Sequence, residues 1–397
     1  MTMTSSRYQI CTRCIMDTSD PDITFDQSGV CCHCRNYDRV MRDYVFANAE
    51  GQRKLQAAVA EIKAAGRGHR YDCIIGLSGG VDSSYVAWLV KSLGLRPLAV
   101  HLDNGWNTEA AVRNIENIVT LLGIDLYTEV LDWEEFRSLQ VAFLRASTPD
   151  CEIPTDHAIT ATLFKVAMRN KVKFIVSGGN FVTELMVPLS WSDGHTDWKY
   201  IRTINEKFGD RPLKTFPHYT FFDKTYYFRL KGIKLVSPLN WIEYDKFAAI
   251  EFMKSELGWV PYGGKHFESV YTRFYQGYIL PRKFGADKRR PHLSCLINDK
   301  RITRDEAMRE IQQPPLDEDT IDREREFVIK KLGISEAEFA AIMAAPPKQF
   351  REFPSDTRSP PLYHVMVQSI LTTAATIRNR MRALARPKAA RATGDGR

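Results

Sequence analysis

The residue types best suited to chemistry follow an apolar run at 72–77 and open a helical pattern. They are Ser78, Gly79, Gly80, Val81, Asp82, Ser83 and Ser84. Two adjacent glycines allow the backbone to approach an anion, and the N–H groups and dipole at the start of a helix stabilise phosphate charge. The serines add hydroxyl donors, and Asp82 could hold the Mg²⁺ that accompanies ATP. The segment therefore predicts a loop that binds ATP through its pyrophosphate.

A plain strand-to-helix turn is the alternative reading of this segment, since such turns use glycine for their geometry and serine or aspartate as a cap. A cap alone does not require two glycines and three serines around one aspartate. A Walker-type loop would continue with lysine, and none follows these glycines, which disfavours cleavage at the γ-phosphate. The pattern resembles the loop of asparagine, GMP and NAD synthetases and of tRNA thiolases, which cleave ATP between the α and β phosphates.

A second chemical feature is a cluster of cysteines near the start of the chain, with two C-x-x-C pairs separated by sixteen residues. The spacing of Cys11, Cys14, Cys31 and Cys34 is typical of a four-thiolate structural zinc site. The short segment that carries these cysteines has too small a hydrophobic core to fold without a metal ion that links them. At that spacing Cys32 and His33 either take no part in the site or contact the metal ligands from outside. A redox or iron–sulfur role is the alternative.

Predicted strands and helices alternate along the chain, and they must position these residues. Apolar runs predict strands at 72–77, 96–102, 126–130, 173–177 and 233–236. Helical periodicity predicts helices at 52–65, 82–93, 108–122, 134–145 and 158–170. This alternation predicts a doubly wound parallel α/β sheet whose ligands bind at the carboxyl ends of the strands. The last third of the chain reads as helices at 303–311, 317–332, 336–344 and 362–386.

Polar residues follow two further strands of this predicted sheet. His101, Asp103 and Asn104 end the second strand, and Trp106 follows them, placed to meet a purine and its ribose. The fourth strand leads into a second glycine pair, an amide and a carboxylate. These are Gly178, Gly179, Asn180 and Glu184. Each turn alone could be an ordinary strand-to-helix turn, but three of them on one sheet predict a nucleotide site.

Further motifs complete a pattern that covers residues 8 to about 316. They are Pro154-Thr155-Asp156-His157, Ser177-Gly178-Gly179-Asn180, Tyr262-Gly263-Gly264-Lys265-His266-Phe267-Glu268-Ser269 and Phe284-Gly285-Ala286-Asp287-Lys288-Arg289-Arg290-Pro291-His292-Leu293-Ser294. Together with the cysteine pairs and the first loop, they resemble the N-acetyl sugar amidotransferase family, WbpG-type proteins of bacterial surface polysaccharide synthesis. The family belongs to the PP-loop ATP pyrophosphatase superfamily, whose fold is adenine nucleotide alpha hydrolase-like.

The resemblance implies a division of the chain into three parts. Residues 1–50 would form the zinc module, and 51–260 the ATP pyrophosphatase domain with an aromatic-rich insertion at 188–230. Residues 261–397 would contact substrate or partner and end in a basic, disordered tail. The insertion could stack on a sugar or uracil ring, bind a partner, or form a lid with its own small core.

The activity implied is conversion of an acetamido group on a nucleotide-linked sugar into an acetamidino group, with ATP and ammonia as co-substrates. The amide oxygen must first become a leaving group, which adenylylation achieves with release of pyrophosphate; ammonia then displaces AMP. The sugar could be a UDP-linked diacetamido uronic acid or a nonulosonic acid, in the synthesis of lipopolysaccharide O-antigen. ATP, Mg²⁺ and structural Zn²⁺ are the implied cofactors.

The resemblance also suggests residue roles. The catalytic candidates are Ser78, Asp82, Lys265, His266, Lys288 and Arg289. The substrate-binding candidates are Asp156, His157, Lys265, Glu268 and Arg290. Structural alternatives exist for several of them: a solvated basic face for residues 288–290, a helix cap for Asp156, and purely structural roles for His266 and Glu268.

The nitrogen source is predicted to lie on another chain. Thr2 rather than cysteine follows the first methionine, and no G-x-C-x-G elbow is found, so the sequence shows no glutaminase. The resemblance implies a separate glutaminase similar to the histidine-biosynthesis amidotransferase, with a cyclase-like barrel protein as ammonia conduit. Neither nucleic acid nor membrane is an expected partner.

The composition of the chain is also compatible with other functional classes of protein. The 397 residues carry a net charge of +7 and are 44% hydrophobic, which suits a cytoplasmic enzyme of two or three structural units without a membrane span. A tRNA thiolase shares the loop, a zinc module and basic charge, but here Cys151 is isolated and Cys73 lies in a predicted core strand. A non-catalytic scaffold of a glycan-assembly complex is the third hypothesis.

Overall fold

The computed structural model describes residues 8–264 and 267–358. Lys265, His266, the predicted helix at 362–386 and the basic tail lie outside the described residues. The strands are β1 Cys73–Gly76, β2 Pro97–Asp103, β3 Asp125–Val130, β4 Phe174–Val176 and β5 Lys234–Val236. All five predicted strands are confirmed, with ends that differ by one or two residues.

α-Helices precede and follow each strand of the sheet. In chain order they are α1 Cys32–Tyr44, α2 Ala49–Ala65, α3 Val81–Ser92, α4 Glu109–Leu122, α5 Trp133–Ala146, α6 Ile153–Arg169, α7 Phe181–Glu184 and α8 Trp198–Phe208. Then come α9 Phe221–Thr225, α10 Lys246–Leu257, α11 Val270–Phe274, α12 Leu280–Phe284, α13 Arg289–Asn298, α14 Arg304–Gln312, α15 Glu318–Leu332 and α16 Glu336–Ala344. No helix in the described ranges is long and apolar enough to cross a membrane.

The five strands form one parallel sheet in the order β3-β2-β1-β4-β5. Successive side chains of β1 point to opposite faces: Ile75 packs with α3, α4 and α10, and Ile74 packs against α6. Because both faces are covered, β1 is apolar throughout rather than alternating. The chain leaves β1 towards β2 on one side and returns to β4 on the other. The crevice between β1 and β4 is therefore the topological switch point at which such sheets bind ligands.

The aromatic-rich insertion does not have a core of its own. Tyr200 and Phe216 are buried in one cluster with Phe143 of α5, Phe274 of α11 and Leu332 of α15. The insertion, the end of the sheet and the carboxy-terminal helices thus share a single core. The prediction of an independent lid core is wrong, because the helices that complete this core come from far along the chain.

The cysteine-rich segment packs on the carboxy-terminal helices. Ile15 shares a small cluster with Leu293 of α13 and Ala307 of α14. The four cysteines share another cluster with Met186, after α7, and Cys295 of α13. Two of the helices that this segment touches, α7 and α13, lead to the crevice of the sheet.

Candidate active site

The first loop joins β1 to α3 at the switch point. Gly80 is the residue before the helix and has no side chain to cap it, so the first N–H groups of α3 are left for an anion. The hydroxyls of Ser78 and Ser83 lie 3.2 Å apart, and the Ser78 hydroxyl accepts a hydrogen bond from Gly80 N–H at 3.2 Å. These contacts fix the loop around the start of the helix. Ser84 points elsewhere: its hydroxyl is buried beneath the loop.

Two glycines are required by the close packing of this loop. Gly79 has φ of +80°, and a Cβ there would lie 2.5 Å from the carbonyl oxygen of Ala111 in α4. Gly178 follows β4, and its Cβ would lie 2.9 Å from the backbone of Asp82. The turn after β4 therefore rests directly on the first turn of α3. Only residues without a side chain allow the two turns to approach so closely.

Asp82 projects from the first turn of α3 into the crevice. Its Oδ1 accepts a hydrogen bond from the Tyr244 hydroxyl at 2.5 Å, and its Oδ2 lies 3.8 Å from Lys246 Nζ. Burial and the Asp82 charge raise the pKa of Tyr244, which therefore stays a hydrogen-bond donor. Glu184, at the end of α7, lines the same cavity. Two carboxylates facing phosphate oxygens are a donor set that suits Mg²⁺.

The end of β2 contributes two of its three predicted residues to the crevice. His101 Nδ1 donates to the carbonyl of Leu77 at 3.0 Å, and burial lowers the pKa of His101, so the ring is neutral. Asn104 Nδ2 donates to Thr155 Oγ1 at 3.2 Å, which links this strand end to α6. Asp103 instead caps the local turn by accepting from Gly105 N–H. The remaining aromatic ring, Trp106, is 1% exposed and packs in the core, so the prediction that it meets a purine is wrong.

The crevice opens into one cavity of about 1050 Å³. Most predicted site residues line its wall. These are Ser78, Gly80, Val81, Asp82, Ser83, His101, Asn104, Asp156, Gly178, Gly179, Glu184, Glu268, Lys288 and Arg289. We call the part formed by residues 78–84 the loop end. The cavity is large enough for a nucleotide together with a second substrate.

Away from the loop lies a cluster that we call the acidic end, defined by Asp150, Glu152, Asp156 and Lys288. The last three of these residues line the cavity. Lys288 Nζ lies 3.4 Å from Glu152 Oε2, and both side chains are more than four-fifths buried. Burial acts to lower the pKa of Lys288, but the neighbouring carboxylates outweigh it and raise that pKa. Gln276 Nε2 donates to the same Glu152 oxygen at 2.8 Å. Lys288 is therefore a fixed cation inside the protein and not part of a solvated basic face.

Asp156 lies in the first turn of α6 and faces the cavity. Its side chain is exposed at the cavity wall. Removal from bulk water, followed by the charges of Asp150 and Glu152, raises the pKa of Asp156 to about 7. A carboxyl group with this pKa exchanges protons at neutral pH.

Two predicted substrate-binding residues do not reach the cavity. Arg290 Nη1 lies 3.0 Å from Asp17 Oδ2 and donates to the carbonyl of Ile15 at 2.8 Å, so its charge is used to hold the cysteine-rich segment. His157 stacks on Tyr219 with ring centroids 4.4 Å apart. Its Nδ1 donates to the carbonyl of His195, and burial lowers its pKa to about 4. Both predictions are corrected: the two side chains are structural.

Two other predicted residues also lie behind the cavity wall. Gly79 and Asn180 shape their turns, since the Gly79 carbonyl accepts from Trp259 Nε1 and the Asn180 side chain caps α7 by accepting from Thr183 N–H. Arg289 does reach the wall, where its guanidinium pairs with Asp287 at 2.8 Å. Lys265 and His266 fall outside the described residues, so their roles stay predictions.

Some residues of the cavity were missed by sequence reasoning. Tyr244, Lys246 and Tyr262 face the loop end, and Glu152 and Gln276 belong to the acidic end. For Glu152 a signal existed, because Pro154 marks the start of α6 and places the preceding residues at its amino end. For Gln276 and Tyr244 none existed, since each meets its partner only through the fold.

The four cysteines of the predicted metal site converge. Their sulfur atoms all lie within 4.8 Å of one another; Cys11 and Cys34 are 4.0 Å apart, and Cys14 and Cys31 are 3.7 Å apart. Tetrahedral zinc with Zn–S bonds of about 2.3 Å requires sulfur atoms about 3.8 Å apart. The geometry therefore fits Zn²⁺, although an iron ion would take the same ligands. Cys32 lies outside the cluster and accepts from Thr24 N–H.

Side chains from the carboxy-terminal helices hold the backbone of this cysteine cluster. Arg304 donates to the carbonyls of Cys14 and Cys11 at 3.0 and 3.1 Å. Asn298 Nδ2 lies 3.5 Å from Cys34 Sγ. On the other side, the Tyr37 hydroxyl donates to the carbonyl of Val182 in α7. The cluster is thus tied to α7 and α13, which carry Glu184 and Arg289 to the cavity.

The sheet order and the loop define the class of protein. A parallel sheet with a glycine- and serine-rich anion loop after its central strand, at the switch point, is a PP-loop fold of the ATP pyrophosphatase type. Residues 268–368 match the family described as "LPS biosynthesis protein WbpG-like, C-terminal domain". This match confirms the family resemblance drawn from the motifs, and it continues beyond residue 316, where the motifs fade.

Three solved structures show distant similarity to this chain. A predicted subunit of tRNA methyltransferase from Methanocaldococcus jannaschii is 16% identical, with a TM-score of 0.27 over 46% of this chain and 75% of that one. The NMN synthetase of Francisella tularensis is 16% identical, with a TM-score of 0.27 over 52% and 87%. The NH3-dependent NAD synthetase of Campylobacter jejuni is 13% identical, with a TM-score of 0.30 over 75% and 98%. These scores are too low to carry an argument. No curated protein matches the chain.

Proposed function

We propose that this chain is the synthetase subunit of an ATP-dependent amidotransferase, which converts an acetamido group of a nucleotide-linked sugar into an acetamidino group. One observation carries the proposal: a single cavity joins a pyrophosphate loop to a buried cluster of charged side chains. An enzyme that transfers AMP to a second substrate needs both parts in one enclosed space. The WbpG-like match supports a role in lipopolysaccharide synthesis.

The proposed chemistry has two steps. In the first, the amide oxygen bonds to the α-phosphorus of ATP, and the bond to the β-phosphate oxygen breaks with its electron pair leaving on pyrophosphate. The N–H groups of α3 and the hydroxyls of Ser78 and Ser83 would stabilise the departing charge. Mg²⁺ held by Asp82 and Glu184 would offset phosphate charge there. In the second step ammonia adds to the activated carbon, and AMP leaves with the former amide oxygen.

We infer that the ammonia is supplied by a separate glutaminase, with a barrel protein as conduit. Support comes from the sequence, which has no G-x-C-x-G elbow within its 397 residues. Buried thiols argue against the thiolase alternative. Cys151 and Cys73 are 2% and 0% exposed, and burial raises both pKa values, that of Cys73 to about 12. Neither thiol is an accessible thiolate that could transfer sulfur.

Substrate turnover tests this proposal directly. The full chain would be incubated with ATP, Mg²⁺, ammonium chloride and either a UDP-linked diacetamido uronic acid or a nonulosonic acid. Mass spectrometry should show conversion of C=O to C=NH in one of them, with AMP and pyrophosphate as the nucleotide products. Glutamine should replace ammonium only when the glutaminase is added. Formation of ADP, or stimulation by tRNA and not by either sugar, would contradict the proposal.

Asp82→Ala tests the loop end. We expect pyrophosphate release to fall by about 10²–10³-fold, since a group that stabilises transition-state charge is removed. Asp322→Asn, on the exposed face of α15, is the control and should keep full activity. Full activity of Asp82→Ala in the reconstituted system would favour the scaffold hypothesis.

A further inference from the structure

Two side chains of the cavity wall lie at the start of α3, where the loop end would hold pyrophosphate. Gly80 precedes this helix, and a Cβ there would lie 3.3 Å from the Tyr262 hydroxyl and 3.4 Å from Glu268 Oε1. The side chain of a capping residue extends from that Cβ and accepts hydrogen bonds from the first N–H groups of the helix. The hydroxyl and the carboxylate therefore lie beside the place from which a helix cap acts.

Hydrogen bonds connect these two side chains to the helix. The Tyr262 hydroxyl accepts from the N–H of Val81, the first residue of α3, and donates to the Glu268 carboxylate. Burial and then the charge of Glu268 raise the pKa of Tyr262, so the hydroxyl keeps its proton. The helix dipole stabilises negative charge at this end of α3. The two side chains thus give the helix interactions of the kind that a phosphate group would give it.

The position of Glu268 is set by its backbone. Its carbonyl accepts from Thr108 N–H at 2.9 Å, and Val270 N–H donates to the carbonyl of Trp106 at 2.9 Å. These bonds form a short antiparallel pairing with the turn that follows β2. The carboxylate is therefore held at the loop end by the fold, and rotation of the side chain is enough to remove it.

The segment before Tyr262 is anchored to the loop itself. Asn114 of α4 binds both backbone groups of Val260, accepting from its N–H at 2.7 Å and donating to its carbonyl at 2.9 Å. The same Asn114 amide donates to the carbonyl of Gly79 at 3.2 Å. One side chain thus fixes the loop and the approach to Tyr262 together. The contact between Tyr262 and the start of α3 follows from this shared anchor.

We propose that the Glu268 carboxylate, held through Tyr262, is an internal competitor of phosphate at the loop end, which the pyrophosphate group of a nucleotide must displace. A carboxylate and a phosphate cannot share this place, because like charges repel each other. A nucleotide offsets the cost of displacement through contacts of its base and ribose elsewhere in the cavity, whereas a small inorganic anion has no such contacts. This inference rests on the loop end of the proposed function and not on its sugar substrate.

Binding of pyrophosphate to Glu268→Gln tests this inference. Titration calorimetry would use sodium pyrophosphate without added Mg²⁺, with Glu326→Gln, an exposed position of α15, as the matched control. We expect the Kd of Glu268→Gln to fall at least about tenfold, because a like charge is removed from the site. The control should bind as the wild-type chain does. Unchanged or weaker binding by Glu268→Gln would overturn the proposal.

Tyr262→Phe tests how the carboxylate is held. This variant keeps the ring and loses the hydroxyl, so pyrophosphate should bind about two- to fivefold more tightly. Tyr44→Phe, at an exposed position of α1, is the matched control and should show no change. Because Tyr262 acts through Glu268, the double variant should bind no more tightly than Glu268→Gln alone. Fully additive gains would refute the role given to Tyr262.

Other roles of Glu268 predict different results. A magnesium ligand would make Glu268→Gln bind ATP with Mg²⁺ more weakly, and a residue that contacts only the sugar would leave pyrophosphate binding unchanged; either result contradicts the competitor. A gain of affinity cannot come from a damaged fold. If Glu268→Gln does not fold, as judged by circular dichroism, Glu268→Ala is measured in the same way.

The two proposals can fail separately. If no sugar is converted but Glu268→Gln binds pyrophosphate more tightly, the proposed function fails while the internal competitor stands. If a sugar is converted and the variant binds pyrophosphate as the wild-type chain does, the competitor is refuted and the proposed function stands.

Discussion

The two ends of the cavity handle charge in different ways. The loop end offers backbone N–H groups, hydroxyls and one helix dipole, all within seven consecutive residues. The acidic end uses full charges from distant segments: Glu152 meets Gln276 across 124 positions and Lys288 across 136. Partial charges can stabilise a phosphate without requiring a counter-ion when the site is empty. Full buried charges must compensate each other, so each member of the acidic end is sensitive to loss of another.

This difference explains where sequence reasoning succeeded. The loop end could be recognised because its chemistry is contiguous, and the strands because both faces of β1 and β4 are buried and read as apolar runs. The cysteine cluster was predictable from its spacing alone. Arg290 and His157 were misjudged because their positions in the chain place them near the site, while their partners, Asp17 and Tyr219, hold them away from it. Sequence order does not specify such pairings.

Removal of the zinc ligands should have the largest effect and should disturb both ends together. Cys14→Ser is expected to lose bound zinc and to raise hydrogen exchange in α7 and α13, because both helices pack on the cysteine cluster. Mass spectrometry of deuterium uptake and metal analysis measure these outcomes. Cys32→Ser is the control, since this thiol lies outside the cluster. Zinc retention by Cys14→Ser, or an iron-rich brown protein, would contradict the assignment.

Loss of the Lys288 charge should destabilise the acidic end and leave the loop end unchanged. Lys288→Met leaves the carboxyl groups around it without their positive partner, which we expect to lower the free energy of unfolding by about 3–5 kcal/mol at pH 8. The loss should diminish below about pH 7, where Asp156 takes up a proton. Urea denaturation of this variant and of Lys330→Met, an exposed lysine of α15, provides the comparison. If the free energy of unfolding falls equally in both variants and does not depend on pH, electrostatic interactions do not stabilise the cluster.

The smallest predicted effect is a gain of stability. The pKa of Asp156 is about 7 in the folded chain and near 4 in the unfolded one, so the folded state binds the extra proton and loses stability as pH rises from about 4 to 7. Asp156→Asn removes this dependence and should raise Tm at pH 8 by a few degrees. At pH 4 the two proteins should melt alike. A variant that melts lower than the wild type at pH 8 would show that the Asp156 carboxylate is stabilising.

Because Ile15 contacts helix α13, the cysteine-rich segment cannot complete its packing until α13 has been synthesised. Ile15 N–H donates to the Ser294 hydroxyl, and Arg304 donates to Cys11 across 293 positions. The cysteine-rich segment is therefore completed by a residue that is synthesised 293 positions later. At about 5–20 residues per second, the thiols wait roughly 15 to 60 s for these partners. A metal ion bound by the four cysteines would hold them together during that interval, so metal supply during translation should influence the yield of folded protein.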